Sequence, residues 1–235
     1  MKRIFFVALF SSLSFWSFSQ TYNIDSSLHA LQQQKDSTLR SLKAKKDSVY
    51  LGGLHSDSVK INKEFKQKED WERLKAVTIY PVIRGGEFSG VIPVKDPTEI
   101  PDPRIDYKLL FELTENNPDS TIKEINSGLT EVARKINLHV ASGIPLKKIF
   151  PVIVVHGGAL FALTNNAYYK EKYKVDNPNL KLISDLEGLG ARFIACGQAM
   201  AFIDLKRESL LPLVKISLTA QTVLSHYQLK GYVKY

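Results

Sequence analysis

Cysteine is almost absent from this chain: Cys196 is the sole one among 235 residues. One thiol excludes an intramolecular disulfide and any Cys-x-x-Cys redox or zinc site built within a single chain. Long apolar runs are missing beyond the N-terminus, so no internal segment reads as a membrane span. Gly-x-Gly-x-x-Gly and P-loop patterns are also lacking, which leaves dinucleotide and nucleotide cofactors without support. His29, His55, His139 and His226 show no metal-ligand spacing with Cys196, so no metal and no other cofactor is expected. Blocks of like charge are absent too, Lys45-Lys46 and Lys147-Lys148 being only pairs. The formal charge of +8 is spread as +2 over residues 1–19, +3 over 20–75, −2 over 76–106 and +5 over 107–235. Such a distribution describes a solvated surface, and nucleic acid is not an expected partner.

What is present begins with an address. Met1-Lys2-Arg3 is a charged start, Ile4 to Phe18 is apolar apart from serines, and Ser17-Phe18-Ser19 offers a small-x-small cleavage site. This is the pattern of a secretory signal peptide over residues 1–19, with Gln20 as the first mature residue. The run falls short of the roughly 20 residues that span a bilayer. Membrane contact is expected only if the signal stays uncleaved, and the expected location is a bacterial periplasm.

Residues 20–75 read as a polar helical arm or spacer. Asp25-Ser26-Ser27-Leu28, Asp36-Ser37-Thr38-Leu39 and Asp47-Ser48-Val49-Tyr50 recur every 11 residues, a helical period that aligns Leu31 and Leu42 on the same stripe. Gly52-Gly53 is expected to end that helix, and Asp57 to cap a second one carrying Ile61, Phe65 and Trp71 to Lys75. The arm is either a solvated spacer or a coiled-coil, partner-docking element. Over 76–106, Val77–Ile83 could be a strand, but Pro81, Gly85-Gly86, Pro93, Pro97, Pro101 and Pro103 forbid long regular structure. An extended segment wrapping the domain surface is expected.

From residue 107 to 235 strands alternate with helices. Strands are expected at Tyr107–Thr114, Phe150–Val155, Arg192–Cys196 and Val214–Leu218. Helices are expected from Thr121 to Val140, from Asn177 to Gly190 and from Thr222 to Leu229, with a turn or helix around Phe161, Tyr168 and Tyr169. That order specifies a three-layer α/β domain with a mainly parallel sheet and right-handed crossovers.

In such sheets the ligand crevice lies beyond the carboxyl ends of the strands. Three ends are chemically marked, by His156-Gly157-Gly158, by Cys196-Gly197-Gln198 and by Thr219 through Thr222. Cys196 is the one intrinsically nucleophilic side chain among them. A helix starting just after it would place terminal N–H groups where they stabilise a thiolate. Gly197 permits close backbone approach, Gln198 could bond a bound group, and His156 could polarise the thiol if the two strands are neighbours. The bland alternative is that Cys196 is a small buried hydrophobe and His156 a structural strand-end residue. His156-Gly157-Gly158-Ala159 looks like an esterase oxyanion loop, but no Gly-x-Ser-x-Gly elbow accompanies it, which leaves that hydrolase class without support.

Val154-Val155-His156-Gly157-Gly158-Ala159-Leu160, Asn177-Pro178-Asn179-Leu180, Ala191 to Met200, Lys215 to Leu224 and Tyr227 to Tyr232 together resemble the DsrE/DsrF-like family. The resemblance covers about Tyr107 to Tyr235. It implies a flavodoxin-like fold, a homo-oligomer such as a trimer or hexamer, and a cysteine that carries a persulfide in a sulfur relay. That role maps onto Cys196, with His156 beside it and Gly157, Gly158, Gly197, Gln198 and Thr219 lining the site. The partner so implied is a small sulfur species or a protein sulfur donor. The secretion signal and N-terminal extension depart from the intracellular relay members. The alternative from another class is a non-catalytic oligomeric binding module of the periplasm or envelope.

Overall fold

The computed structural model describes residues 24–44 and 51–235. The expected signal peptide and the repeat unit at Asp47-Ser48-Val49-Tyr50 lie outside the described residues. The chain divides into two compact units, residues 1–76 and 77–235. In the first, α1 spans Ile24–Ala44 and α2 spans Leu51–Val77. Along α1, Leu28, Leu31, Leu39 and Leu42 are half-buried while most intervening residues are exposed. The expected break at Gly52-Gly53 is corrected: α2 starts at Leu51 and runs through both glycines and Asp57. Glycine costs a helix only about 1 kcal/mol each, and neither proline nor a capping turn intervenes to stop it.

In the second unit β1 (Tyr107–Leu113), β2 (Ile149–Val155), β3 (Arg192–Cys196), β4 (Lys215–Ser217) and β5 (Val233–Lys234) form one sheet in the order β4-β3-β2-β1-β5. Every pairing is parallel. The register sets Val155 beside Ala195 and Cys196 beside Ser217. Strands buried on both faces need apolar residues along their length, and β2 and, after the exposed Arg192, β3 supply them. Ile153, Val155, Phe193 and Ala195 pack on one face, against α3 (Ser127–Ala141) and α5 (Leu180–Gly188). On the other face Val152, Val154, Ile194 and Cys196 pack against Ala220, Leu224 and Tyr227 of the last helix, Ala220–Leu229. The three-layer α/β architecture is thus present.

Several element edges differ from expectation. The first crossover helix begins at Ser127 rather than Thr121, because the Asn126 carboxamide accepts the Gly128 and Leu129 N–H groups and caps α3 there. Between β2 and α5 the chain makes a 3-10 stretch, Gly157–Leu163, then α4 (Asn166–Tyr173). After β3 comes α6 (Gly197–Phe202), and after β4 comes α7 (Ala220–Leu229), two residues earlier than expected. Strand β5 has no counterpart in the sequence reading, since Gly231 and Tyr232 masked so short an edge.

No strand forms over Val77–Ile83 either; Ile79 makes a single antiparallel bridge with Val91. The segment is fastened instead by Asn137, which is fully buried on α3. Its carbonyl oxygen accepts the Val82 and Ile83 N–H groups at 3.1 Å each, and its amide donates to the Ile83 and Ser89 carbonyls at 2.7 and 2.8 Å. Close approach requires glycine there: a Cβ on Gly85 would sit 2.7 Å from the Ala133 Cβ.

Candidate functional site

Crossovers step the same way from β1 to β4 and reverse after β4, beside the end of β3. The chain leaving β3 enters α6, whose Met200 packs on the face of α3 and α5, whereas the chain leaving β4 enters α7 on the opposite face. Neighbouring strands whose connections diverge to opposite faces leave a crevice between their carboxyl ends. Cys196 ends β3 at this point. Its Sγ accepts the Ala199 N–H at 3.5 Å, making Cys196 the cap of α6. A helix of six residues adds little dipole, so this N–H is the main local donor to the sulfur.

Gly197 lies against β4 so tightly that a Cβ there would be 2.6 Å from the Ser217 carbonyl oxygen. The Gln198 N–H donates to the Leu218 carbonyl at 3.1 Å, and the Gln198 side chain is exposed. Thr219 is half-buried at the start of α7, and its carbonyl accepts the Thr222 hydroxyl at 3.2 Å. These residues gather on one side of the rim. The sulfur itself is nearly covered, with Cys196 only 5% exposed.

The His156 group occupies the other side. Gly157, at φ +59°, sits where a Cβ would be 2.9 Å from the Thr114 carbonyl, and Gly158 is packed on Asn116. The His156 and Ala159 N–H groups donate to the Leu113 and Thr114 carbonyls. Packing against the loop after β1 therefore accounts for Gly157 and leaves only a tight fit at Gly158. His156 Nε2 lies 2.8 Å from Glu112 Oε1, and a carboxylate neighbour makes that nitrogen the donor. No hydrogen bond joins His156 to Cys196, although β2 and β3 are adjacent.

Glu112 was not singled out from the sequence, yet it organises this side. Its second oxygen receives Lys234 Nζ at 2.5 Å. The Lys234 ammonium foremost, with the His156 hydrogen bond, holds the Glu112 carboxyl below the usual carboxylate range against the opposing effect of burial. A lone acid inside the apolar run Leu109-Leu110-Phe111-Glu112-Leu113 was the available signal. Beside it, Asn116 donates to the Tyr173 hydroxyl at 3.0 Å, and burial pushes that phenol up to about 12. Tyr173 is thus a neutral hydrogen-bonding group near neutral pH.

Among the described residues no group of three or more His, Cys, Asp or Glu could hold a metal ion. Among them also, no helix is long and apolar enough to cross a membrane.

No curated protein matches the chain. A solved structure, that of a protein of unknown function from Methanobacterium thermoautotrophicum, is similar at 19% identity over 55% of this chain and 98% of that one, with a TM-score of 0.41. The model of the DsrE/DsrF-like family matches residues 108–234, a span that holds Glu112, His156 and Cys196. With more than half its length so matched, and with a parallel α/β sheet ending in this rim, the chain belongs to the DsrE/DsrF-like family.

Proposed function

We propose that the protein is an exported sulfur carrier in which Cys196 takes up sulfane sulfur as a persulfide, with His156 and Gln198 flanking the site. The observation that carries this reading is the place of the lone thiol, beside the crossover reversal of a sheet whose family suggests a sulfur-relay-like role. The chemistry needs no cofactor. A Cys196 thiolate attacks the terminal sulfur of a donor R–S–SH, a new S–S bond forms as the donor S–S bond breaks, and R–S⁻ leaves while Cys196 retains the –SH. The Ala199 N–H supports negative charge on the sulfur as the thiolate forms.

The test is intact mass after exposure of the purified mature protein to polysulfide. A gain of about 32 Da, one sulfur atom, is expected in the wild type and none in Cys196→Ser. Absence of the adduct, or its survival in Cys196→Ser, overturns the proposal. Export is checked by N-terminal sequencing of the periplasmic fraction, where Gln20 is the expected first residue.

The near-complete burial of Cys196 and the engagement of His156 by Glu112 favour a second reading. In it the domain is a non-catalytic, homo-oligomeric binding module whose N-terminal arm docks an envelope partner. Cys196→Ala would then leave function intact, whereas deletion of residues 20–75 would abolish it.

A further inference from the structure

We propose that the C-terminal strap, β5 with Tyr235, is a detachable edge of the sheet, fastened through the Glu112 carboxylate and released by acid. Backbone pairing holds it weakly. Only Val233 and Lys234 pair with β1, at Leu109 and Leu110, and the Tyr235 N–H adds one bond to the Leu110 carbonyl at 2.8 Å. So short a strand has little stability of its own. Side chains therefore decide whether it stays.

Glu112 is central among them, because it joins three strands at one point. Lys234 of β5 reaches one oxygen and His156, just after β2, reaches the other. From α3 the strap meets Lys135, whose ammonium lies 4.9 Å from the Tyr235 ring centre, and His139, whose Nε2 is 3.4 Å from the Tyr235 hydroxyl. His139 Nδ1 donates to the Lys135 carbonyl, so Nε2 of the neutral ring is the acceptor. Glu131 lines the same crevice and is already paired with Arg134. Lys108 donates to the Lys230 carbonyl upstream of the strap.

Acid acts on this set through the Glu112 carboxylate. Glu112 carries a folded-state carboxyl held below its ordinary range, so the fastening is complete above that range and is lost as pH falls through the depressed value. Below it, the neutral carboxyl no longer holds the Lys234 ammonium by charge. A crevice of about 320 Å³ lined by Phe111, Leu113 and Gly128 already lies beside the strap, with Tyr235 as one wall, stacked on Phe111 with ring centres 5.6 Å apart, and detachment would remove that wall.

The experiment is hydrogen exchange on the full mature protein, read as the protection factor of the Tyr235 amide against pH. In the wild type protection should fall as pH drops into the acid range while the β2 and β3 amides keep theirs. Glu112→Gln should lower Tyr235 protection about tenfold at neutral pH and abolish its acid response, as loss of a partly screened, charge-assisted pair implies. Lys234→Met keeps the apolar stem and should reproduce both effects. Unchanged Tyr235 protection in Glu112→Gln overturns the proposal. So does an acid response in the wild type that spreads equally over β2 and β3, since that is global unfolding.

Discussion

Replacing Asn137 by leucine is expected to destabilise the C-terminal unit by about 3–5 kcal/mol, the cost of orphaning several buried peptide groups at about 1–3 kcal/mol each. The substitution removes four hydrogen bonds at once, two accepted and two donated, from a fully buried carboxamide. Detachment of the segment lets water reach the stranded groups and so limits the loss. For a unit of this size the melting temperature should drop by roughly 10 °C. Damage should be local first: trypsin should cut at Arg84 and Lys95 much faster, while α3 and the sheet stay folded. Asn137→Asp should be no milder, because its carboxylate would face the Ile83 and Ser89 carbonyls without a proton to donate. A melting shift under about 2 °C would show that the segment is held by its apolar residues, Ile83 and Val91, instead.

Asn137 also shows how far the sequence could be read. The helix face read as Ile122, Ile125, Leu129, Val132, Ala133, Ile136 and Val140 was legible from Leu129 onward because it depends on period alone, while Ile122 and Ile125 precede the start of α3 at Ser127. Asn137 falls on that same stripe, and a polar residue on a buried stripe calls for a partner. The partner is backbone some 50 residues upstream, and backbone atoms leave no mark in sequence. The strands were legible from a different signal: β2 and β3 lie inside the sheet and are continuous apolar runs, but for the exposed Arg192 that opens β3. Strand β5 was not, since two residues at an edge need no pattern.

The rim shows the same division. Cys196 and His156 could be assigned to strand ends, but which partner each side chain turns to depends on the strand order. Placing β5 beside β1 delivers Lys234 to Glu112, and Glu112 then takes His156. Gly157 and Gly158 look like a ligand loop in sequence. The close contact of Gly157 with Thr114 shows that packing alone is enough to require glycine at that position.

Gly197→Ala should make Cys196 more reactive while making the domain less stable. The added Cβ would stand 2.6 Å from the Ser217 carbonyl oxygen, and backbone cannot rotate aside as a side chain can. One of the two neighbours must move. β4 is the weaker, since it has three residues, lies at the sheet edge and pairs only with β3. Overpacking of this kind costs about 1–3 kcal/mol. The wedge acts between α6 and the Ser217–Leu218 backbone, next to the covered sulfur, and should disturb the Gln198 N–H bond to Leu218. If displacement of β4 is the motion that uncovers Sγ, each 1.4 kcal/mol raises the open population about tenfold. Alkylation of Cys196 by iodoacetamide in the folded protein should then run about 10- to 100-fold faster than in the wild type, and persulfide uptake with it. Lower stability with unchanged labelling would instead mean that the sulfur is reached from the α7 face, and that β4 is not its gate.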